Sequence, residues 1–417
     1  MPTPRPVQRL ASRRQYRTAI IGAGICGVSV ARRLGELRRG EQIALVEAER
    51  AGFGASGRNA GFMLNMHSHG EPKALSVLRR NAELWISGLQ HLRQTVRDFQ
   101  IQCDWSDWGR FYGSAGSDGE KHLDEIATTL DALDMPFEQL DHDRMRHDLG
   151  TDFYHRGLYV PGNALVNPAA MVSGLAHTLP ENIDVFEESP VVAIERAAAR
   201  FKISTPEGQI EADQVVLAAG VFMQAFGAAR NRYVPMATYA SLTEPLSEEH
   251  RTVFGIGGEF GLLASSENGA TLRLTRDGRL FVRNKFTFAP GMPPGRKTVA
   301  MCANLHRDAM LARWPQFENV KFEHSWGGIM AFTINNGAVF GEVEPGLYAV
   351  LTNDVSPMTR GASTGRLLAE YIEGCDSELL TSVMAMPVAR RLPPRPFLDL
   401  GIAWRLHAMH RAGANEF

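Results

Sequence analysis

The residues Gly22-Ala23-Gly24-Ile25-Cys26-Gly27 carry the spacing G-x-G-x-x-G. In that pattern the first glycine makes a tight turn and the second lets backbone approach a phosphate. The third allows a helix to pack closely on a strand. Amide groups at the head of such a helix, with its dipole, hold negative charge. The spacing alone is weak, since glycine-rich turns are common, and its surroundings give it weight. Thr18-Ala19-Ile20-Ile21 precedes it as a buried parallel strand would, and a helix is predicted from about Ile25 to Arg38. A second apolar run, Ile43-Ala44-Leu45-Val46, ends in Glu47, 25 residues beyond Gly22. A carboxylate there accepts both hydroxyls of a ribose and repels a 2′-phosphate. This βαβ opening points to a dinucleotide site.

The segment that follows discriminates between dinucleotides. Gly52-Phe53-Gly54-Ala55-Ser56-Gly57-Arg58-Asn59-Ala60-Gly61-Phe62 is a loop of amides and hydrogen-bonding side chains. A plain nicotinamide dehydrogenase has no need of it directly after its second strand. FAD extends past its pyrophosphate and must be gripped again. FAD is therefore the favoured cofactor, with an ordinary surface loop as the competing reading.

Two domains suit a chain of 417 residues, and a hydrophobic share of 44% with 22% charged residues is that of a globular protein. A net charge of -2 gives no global footprint for nucleic acid or an anionic membrane. Cys26, Cys103, Cys302 and Cys375 are scattered, with no CxxC or HExxH, so no metal or disulfide framework is indicated and a cytoplasmic location is expected. Arg13-Arg14 hints at a twin-arginine signal, but cleavage after the apolar run would destroy the glycine motif. The first dozen residues read as a disordered tail. No apolar run approaches the ~20 residues of a membrane span.

Leu75, Leu78, Ala82, Trp85, Leu89, Leu92, Val96 and Phe99 recur at helical spacing, predicting one long amphipathic helix packed on its own domain or forming a dimer seam. Strand character around Gly109 to Tyr112 gives way to polar helices up to about Leu149. Asn167-Pro168 reads as an N-cap with proline at the first helical position. Tyr233 to Val320 reads as β-rich with many turns, a helix is expected from about Gly361 to Ile372, and the chain ends in an extended segment and a short helix. No segment fixes the oligomeric state.

With these motifs in view, the chain resembles the FAD-dependent D-amino acid oxidase superfamily, in particular its glycine oxidase, sarcosine oxidase and γ-glutamylputrescine oxidase-like branch. Gly52 to Asn59 carries the strongest likeness. Gly157 to Gly162 with Val166-Asn167-Pro168, Ala212-Asp213 to Gly220, Glu323 to Gly328 with Thr333, and Thr359 to Leu368 support it. The resemblance implies an α/β fold, α+β overall. A Rossmann-like FAD domain would come from residues 1–80, 155–230 and 325–417, and a substrate domain with a mixed or antiparallel sheet from 81–154 and 231–324. It also implies that Gly22, Gly24, Ile25, Cys26 and Gly27 hold the pyrophosphate and Glu47, beside Ala48, the ribose. Gly54, Ala55, Ser56, Arg58, Asn59 and Ala60 would hold the remaining phosphate and the flavin side. Val191, Gly220 and the helix start at Met358, Thr359, Arg360 and Gly361 complete the implied cofactor set.

Three departures stand out. Glycine and D-amino acid oxidases carry a carboxylate-binding arginine after the Trp-Gly-Gly-like stretch; here Ile329, Met330, Ala331 and Phe332 follow. No cysteine lies near Gly328, so FAD is expected to be non-covalent. Thr352 to Met358, with Pro357, stands where the family often has a glycine-rich loop before its final helix. Candidates for substrate chemistry are Arg283 and Lys285, at alternate positions of one strand and so on one face, where a carboxylate anchor and a solvated face compete. Lys285 would also assist oxygen. His67 with His69 and the apolar Tyr239, Trp326, Met330 and Phe332 complete the set, against outward histidines and plain core packing; His324 is expected to make a local contact.

The expected activity is oxidation of the C–N bond of a small amine or amino acid, sarcosine- or iminodiacetate-like. A hydride passes to flavin N5, water hydrolyses the imine, and O2 is reduced to H2O2. A dehydrogenase passing electrons to a quinone or carrier, a γ-glutamylputrescine-like polyamine oxidase, a nicotinamide dehydrogenase and a non-catalytic flavin subunit are the alternatives.

Overall fold

A computed structural model describes residues 6–66, 74–197, 199–266, 269–352, 357–413 and 416–417. Its first sheet runs Val339–Glu344, Leu347–Leu351, Gln209–Leu217, Arg13–Ile21, Ile43–Val46, Ile183–Phe186. The four pairings from Leu347–Leu351 to Ile183–Phe186 are parallel. The hairpin Ala193–Ala197 and Arg200–Ser204 extends it antiparallel from Gln209–Leu217. Strand periodicity divides the apolar runs between two cores. Ile20, Ile43 and Leu45 face the helices, while Ala19, Ile21, Ala44 and Val46 face the opposite side. Burial on both faces explains why these runs read as continuously apolar.

Helix Ile25–Leu37 follows the first strand and is crossed by helix Pro357–Ile372. Glycines make the crossing close: a Cβ at Gly361 would lie 2.7 Å from Ile25 Cγ2, and one at Gly365 2.5 Å from the Cys26 carbonyl oxygen. Helix Leu75–Asp98 presses Gly88 against the Thr359 backbone and puts Leu89, Leu92 and Val96 into the same core. It packs on its own chain.

The second sheet has eight strands in the order Phe322–Phe332, Val234–Pro245, Arg279–Phe288, Thr271–Leu274, Phe260–Ala264, Arg110–Ser114, Arg156–Val160, Glu138–Leu140. All its pairings are antiparallel except Phe260–Ala264 with Arg110–Ser114, making the sheet mixed. Arg156–Val160 and Phe322–Phe332 pair here, although bounds of 155–230 and 325–417 put nearly all of both in the first domain. Helix Leu75–Asp98, expected from residue 81 in the second domain, packs on the first.

Two further differences have local causes. Helix Arg296–Arg313 lies in the stretch read as β-rich. Its buried face includes His306 and Arg313 beside Cys302, Ala309 and Met310, and polar residues on that face blur the apolar period. Arg313 is buried because it donates to Tyr154 Oη at 2.6 Å and to the Glu416 and Phe417 carbonyls, both at 3.0 Å. At the amino end, Leu10 is 1% exposed and its amide donates to Ser189 Oγ, so residues 8–10 are docked rather than a free tail. Asn167 caps helix Pro168–His177 as read, accepting from the Ala170 amide at 3.1 Å. No helix among the described residues is long and apolar enough to cross a membrane, and no cluster among them can hold a metal ion.

Candidate functional site

The glycine turn sits between the first strand and first helix, with Gly22 at φ +102. A Cβ on Gly22 would meet the Ala218 carbonyl oxygen at 2.7 Å; one on Gly27 would meet the Gly22 carbonyl oxygen at 1.8 Å. No side chain fits either place. Glu47 closes the turn from the second strand, accepting from the Ala23 amide at 2.7 Å and the Glu49 amide at 3.1 Å. Burial nevertheless pushes its carboxyl above the ordinary range, an effect that the amide bonds oppose. Ala48 beside it is exposed.

The following loop is tied to this turn and to the second sheet. Gly54 precedes the short helix Ala55–Arg58, and Ser56 Oγ accepts from the Ile25 amide at 3.0 Å while lying 3.0 Å from a Cβ built on Gly24. Asn59 donates to the Ser56 carbonyl at 2.7 Å and accepts from the Gly61 amide at 2.9 Å. Arg58 donates to the Phe53 carbonyl at 2.8 Å and the Gly327 carbonyl at 3.2 Å, while Trp326 Nε1 donates to the Arg58 carbonyl at 3.0 Å. Phe62–Met63 then pairs with Ala164–Leu165.

Around these loops stand the other implied cofactor residues. Ile25 and Cys26 are buried at the head of the first helix. Val191 packs against the core behind the first sheet. Gly220 has φ +55, with open space where a side chain would stand. Met358 and Thr359 are fully buried, and Thr359 Oγ1 and Ser363 Oγ have no hydrogen-bond partner among the described residues. Arg360 Nη2 lies 3.5 Å from Met386 Sδ. Gly361 turns its Cα toward Ile25 and Cys26. Glycines that tolerate no side chain, amides at a helix start, a strand-end carboxylate and buried hydroxyls without partners fit a dinucleotide such as FAD.

A cavity of about 90 Å³, roughly three water volumes, separates the Arg58–Ala60 loop from the second sheet. Thr238, Tyr239, Phe281, Arg283, Trp326 and Met330 form much of its far wall. Among the described residues two half-buried cations line it, Arg58, already bonded to the Phe53 and Gly327 carbonyls, and Arg283, and no carboxylate or histidine does. The Arg283 guanidinium rests 4.7 Å from the Phe286 ring centroid and makes no hydrogen bond or ion pair within the described residues. Burial lowers its pKa to about 10, so it stays charged at neutral pH. A desolvated cation without a partner is costly unless an anion joins it. Tyr239 borders the cavity, but its ring packs with Cys302 and Val299 on the opposite face of the sheet, as plain core packing would have it, and its hydroxyl lies 2.7 Å from Thr287 Oγ1.

Two expected residues go elsewhere. Tyr239 pairs with Asn284 and Thr238 with Phe286, leaving Lys285 as the extra residue of a β-bulge at φ +63. The bulge breaks the alternation, and Lys285 reaches His410 Nδ1 at 3.5 Å instead of lining the cavity. Phe332 shares a strand face with Trp326, Gly328 and Met330 but packs on Phe286 beneath the C-terminal helix. His67 and His69 lie outside the described residues. His324 is exposed, 3.8 Å from Glu323, as a local contact would be. Tyr112, Thr238 and Phe281, which no local motif marks, are brought into the wall by strand order alone.

A parallel dinucleotide-binding layer, beside a mixed sheet that walls a cavity and with the chain passing repeatedly between them, is the build of an FAD-dependent oxidoreductase. The chain belongs to the FAD-dependent oxidoreductases of the DAO family, whose model matches residues 17–371. It is 25% identical over 401 residues to the gamma-glutamylputrescine oxidoreductase of Escherichia coli strain K12, covering 92% of this chain and 91% of that one. It is 26% identical over 377 residues to a probable oxidoreductase, OrdL, of Haemophilus influenzae, covering 86% and 83%. The fold matches glycine oxidase from Geobacillus kaustophilus at a TM-score of 0.76 and 18% identity, over 91% of this chain and all of that one. Iminodiacetate oxidase from Chelativorans sp. BNC1 matches at 0.70 and 18% identity, over 90% and 99%.

Proposed function

We propose that this protein oxidises the carbon–nitrogen bond of a small amine bearing a carboxylate, with Arg283 as the carboxylate anchor. The half-buried guanidinium in the cavity wall, without an ion-pair partner among the described residues, is the observation that carries the reading. FAD, held without a covalent tether by the residues named above, supplies a two-electron acceptor for hydride from the carbon beside nitrogen. Arg283 fixes one end of the substrate, which sets the orientation of that carbon. Phe281, Trp326 and Met330 exclude water around it. The described lining has no acid or histidine to take a proton, so the substrate binds as the neutral amine. The product imine is hydrolysed in water to a carbonyl compound and an amine.

A cavity with a cation and no described carboxylate favours sarcosine- or iminodiacetate-like amino acids over free polyamines, which would bring a second positive charge. Oxygen as the electron acceptor, with release of hydrogen peroxide, and a cytoplasmic setting complete the proposal. An anaerobic panel of amines, each with and without a carboxylate, tests it by bleaching of the flavin. The proposal expects bleaching by carboxylated members, faster as pH rises through the substrate amine's pKa. Equal bleaching by carboxylate-free members would refute the anchor.

A further inference from the structure

The C-terminal helix Phe397–Ala412 is apolar on two opposed faces. One face sets Leu398, Ile402, Leu406 and Met409 against the second sheet at Phe286 and Phe332. On the other, Phe397, Leu400 and Trp404 are 68%, 66% and 72% exposed. Their positions, three and four residues apart, form one stripe along the helix. A surface helix normally turns charge outward, and an outward stripe of Phe, Leu and Trp loses free energy that contact with an apolar medium recovers.

The charge around the stripe is one-sided. Residues 389–411 hold five arginines and one acid, Asp399, in a chain of net charge -2. Asp399 is engaged with Arg395 at 3.5 Å, whereas Arg390, Arg391 and Arg411 are exposed. Two copies of this face meeting about a two-fold axis would bring like charges together. An array of phosphates supplies the anions that such a copy lacks. We infer that this face docks on an anionic phospholipid surface. The helix lies in the headgroup plane, Phe397, Leu400 and Trp404 enter the interface, and the arginines meet lipid phosphates. Docking of this kind is peripheral.

The test is co-sedimentation of the holoenzyme with vesicles of phosphatidylcholine alone or mixed with phosphatidylglycerol, followed by flavin absorbance. The expected result is binding to the mixed vesicles only, weakening as salt rises. Combined Phe397→Ser, Leu400→Ser and Trp404→Ser substitution should abolish binding while flavin content and turnover persist. Arg391→Glu and Arg411→Glu should each weaken it at least about fivefold. Failure of the holoenzyme to bind the mixed vesicles overturns the inference, as does binding unchanged in the serine variant. A serine variant that instead turns a dimer into a monomer in sedimentation velocity would show the face to be a self-interface, and the inference would fall.

Discussion

The glycine turn and the cavity wall handle charge by opposite means. At the turn, backbone does the holding: consecutive residues present amides, and Gly22 and Gly27 stand where any Cβ would strike a carbonyl oxygen. At the sheet side of the cavity, one side chain, Arg283, bears the charge, on a strand placed by pairings with residues far away in sequence. The first device suits a group shared by a whole family. The second is changed by one substitution, which suits a substrate that differs between relatives.

That contrast predicts graded effects. The largest is at Gly27: its Cβ would sit 1.8 Å from a backbone oxygen, so Gly27→Ala should cost at least ~3 kcal/mol and yield protein without bound flavin. Gly24→Ala should be milder, because the obstacle is the Ser56 hydroxyl at 3.0 Å; equal flavin loss in both variants, measured by absorbance after gel filtration, would break the argument. Next is Arg283→Met, expected to lower kcat/KM for carboxylated amines about a hundredfold while the flavin spectrum is retained.

Glu47→Gln is expected to weaken FAD about tenfold. Its pH behaviour has a definite sign. Because burial raises the folded pKa, the apoprotein takes up this proton before the unfolded chain does. The cost of burying the carboxylate is therefore present above the folded pKa and relieved as pH falls from there to the unfolded value. FAD affinity runs the other way, since the protonated acid is a poorer acceptor for ribose, so acid should weaken FAD in the native protein and less so in the glutamine variant. Titration of apoprotein across pH reads this directly. The smallest effect is at Trp326→Phe, which removes the 3.0 Å bond to Arg58 and should raise KM about threefold.

The half of the site built from neighbouring residues was legible in the sequence. Gly22 to Glu47 folds as read because its strand–turn–helix–strand order is written in consecutive residues and its strands are apolar on both faces. The cavity was legible only in part. Arg283, Trp326 and Met330 do meet there, but the Tyr239 ring packs with Cys302 on the opposite face of the sheet, and Lys285 is turned away by a one-residue bulge that no composition signal marks. Phe332 is covered by a helix more than sixty residues on, a contact that strand alternation does not report. Helix Arg296–Arg313 was hidden for a related reason: its inward face includes a histidine and an arginine that bond to partners far away in sequence.

The central claim is that Arg283 holds a carboxylate beside the flavin, and it can be read without turnover. Acetate or another carboxylate that cannot be oxidised is titrated into the holoenzyme and into Arg283→Met while the flavin absorption spectrum is recorded. The account predicts a saturable spectral shift in the native protein that the variant lacks. The same shift, at the same concentration, in both proteins would contradict it.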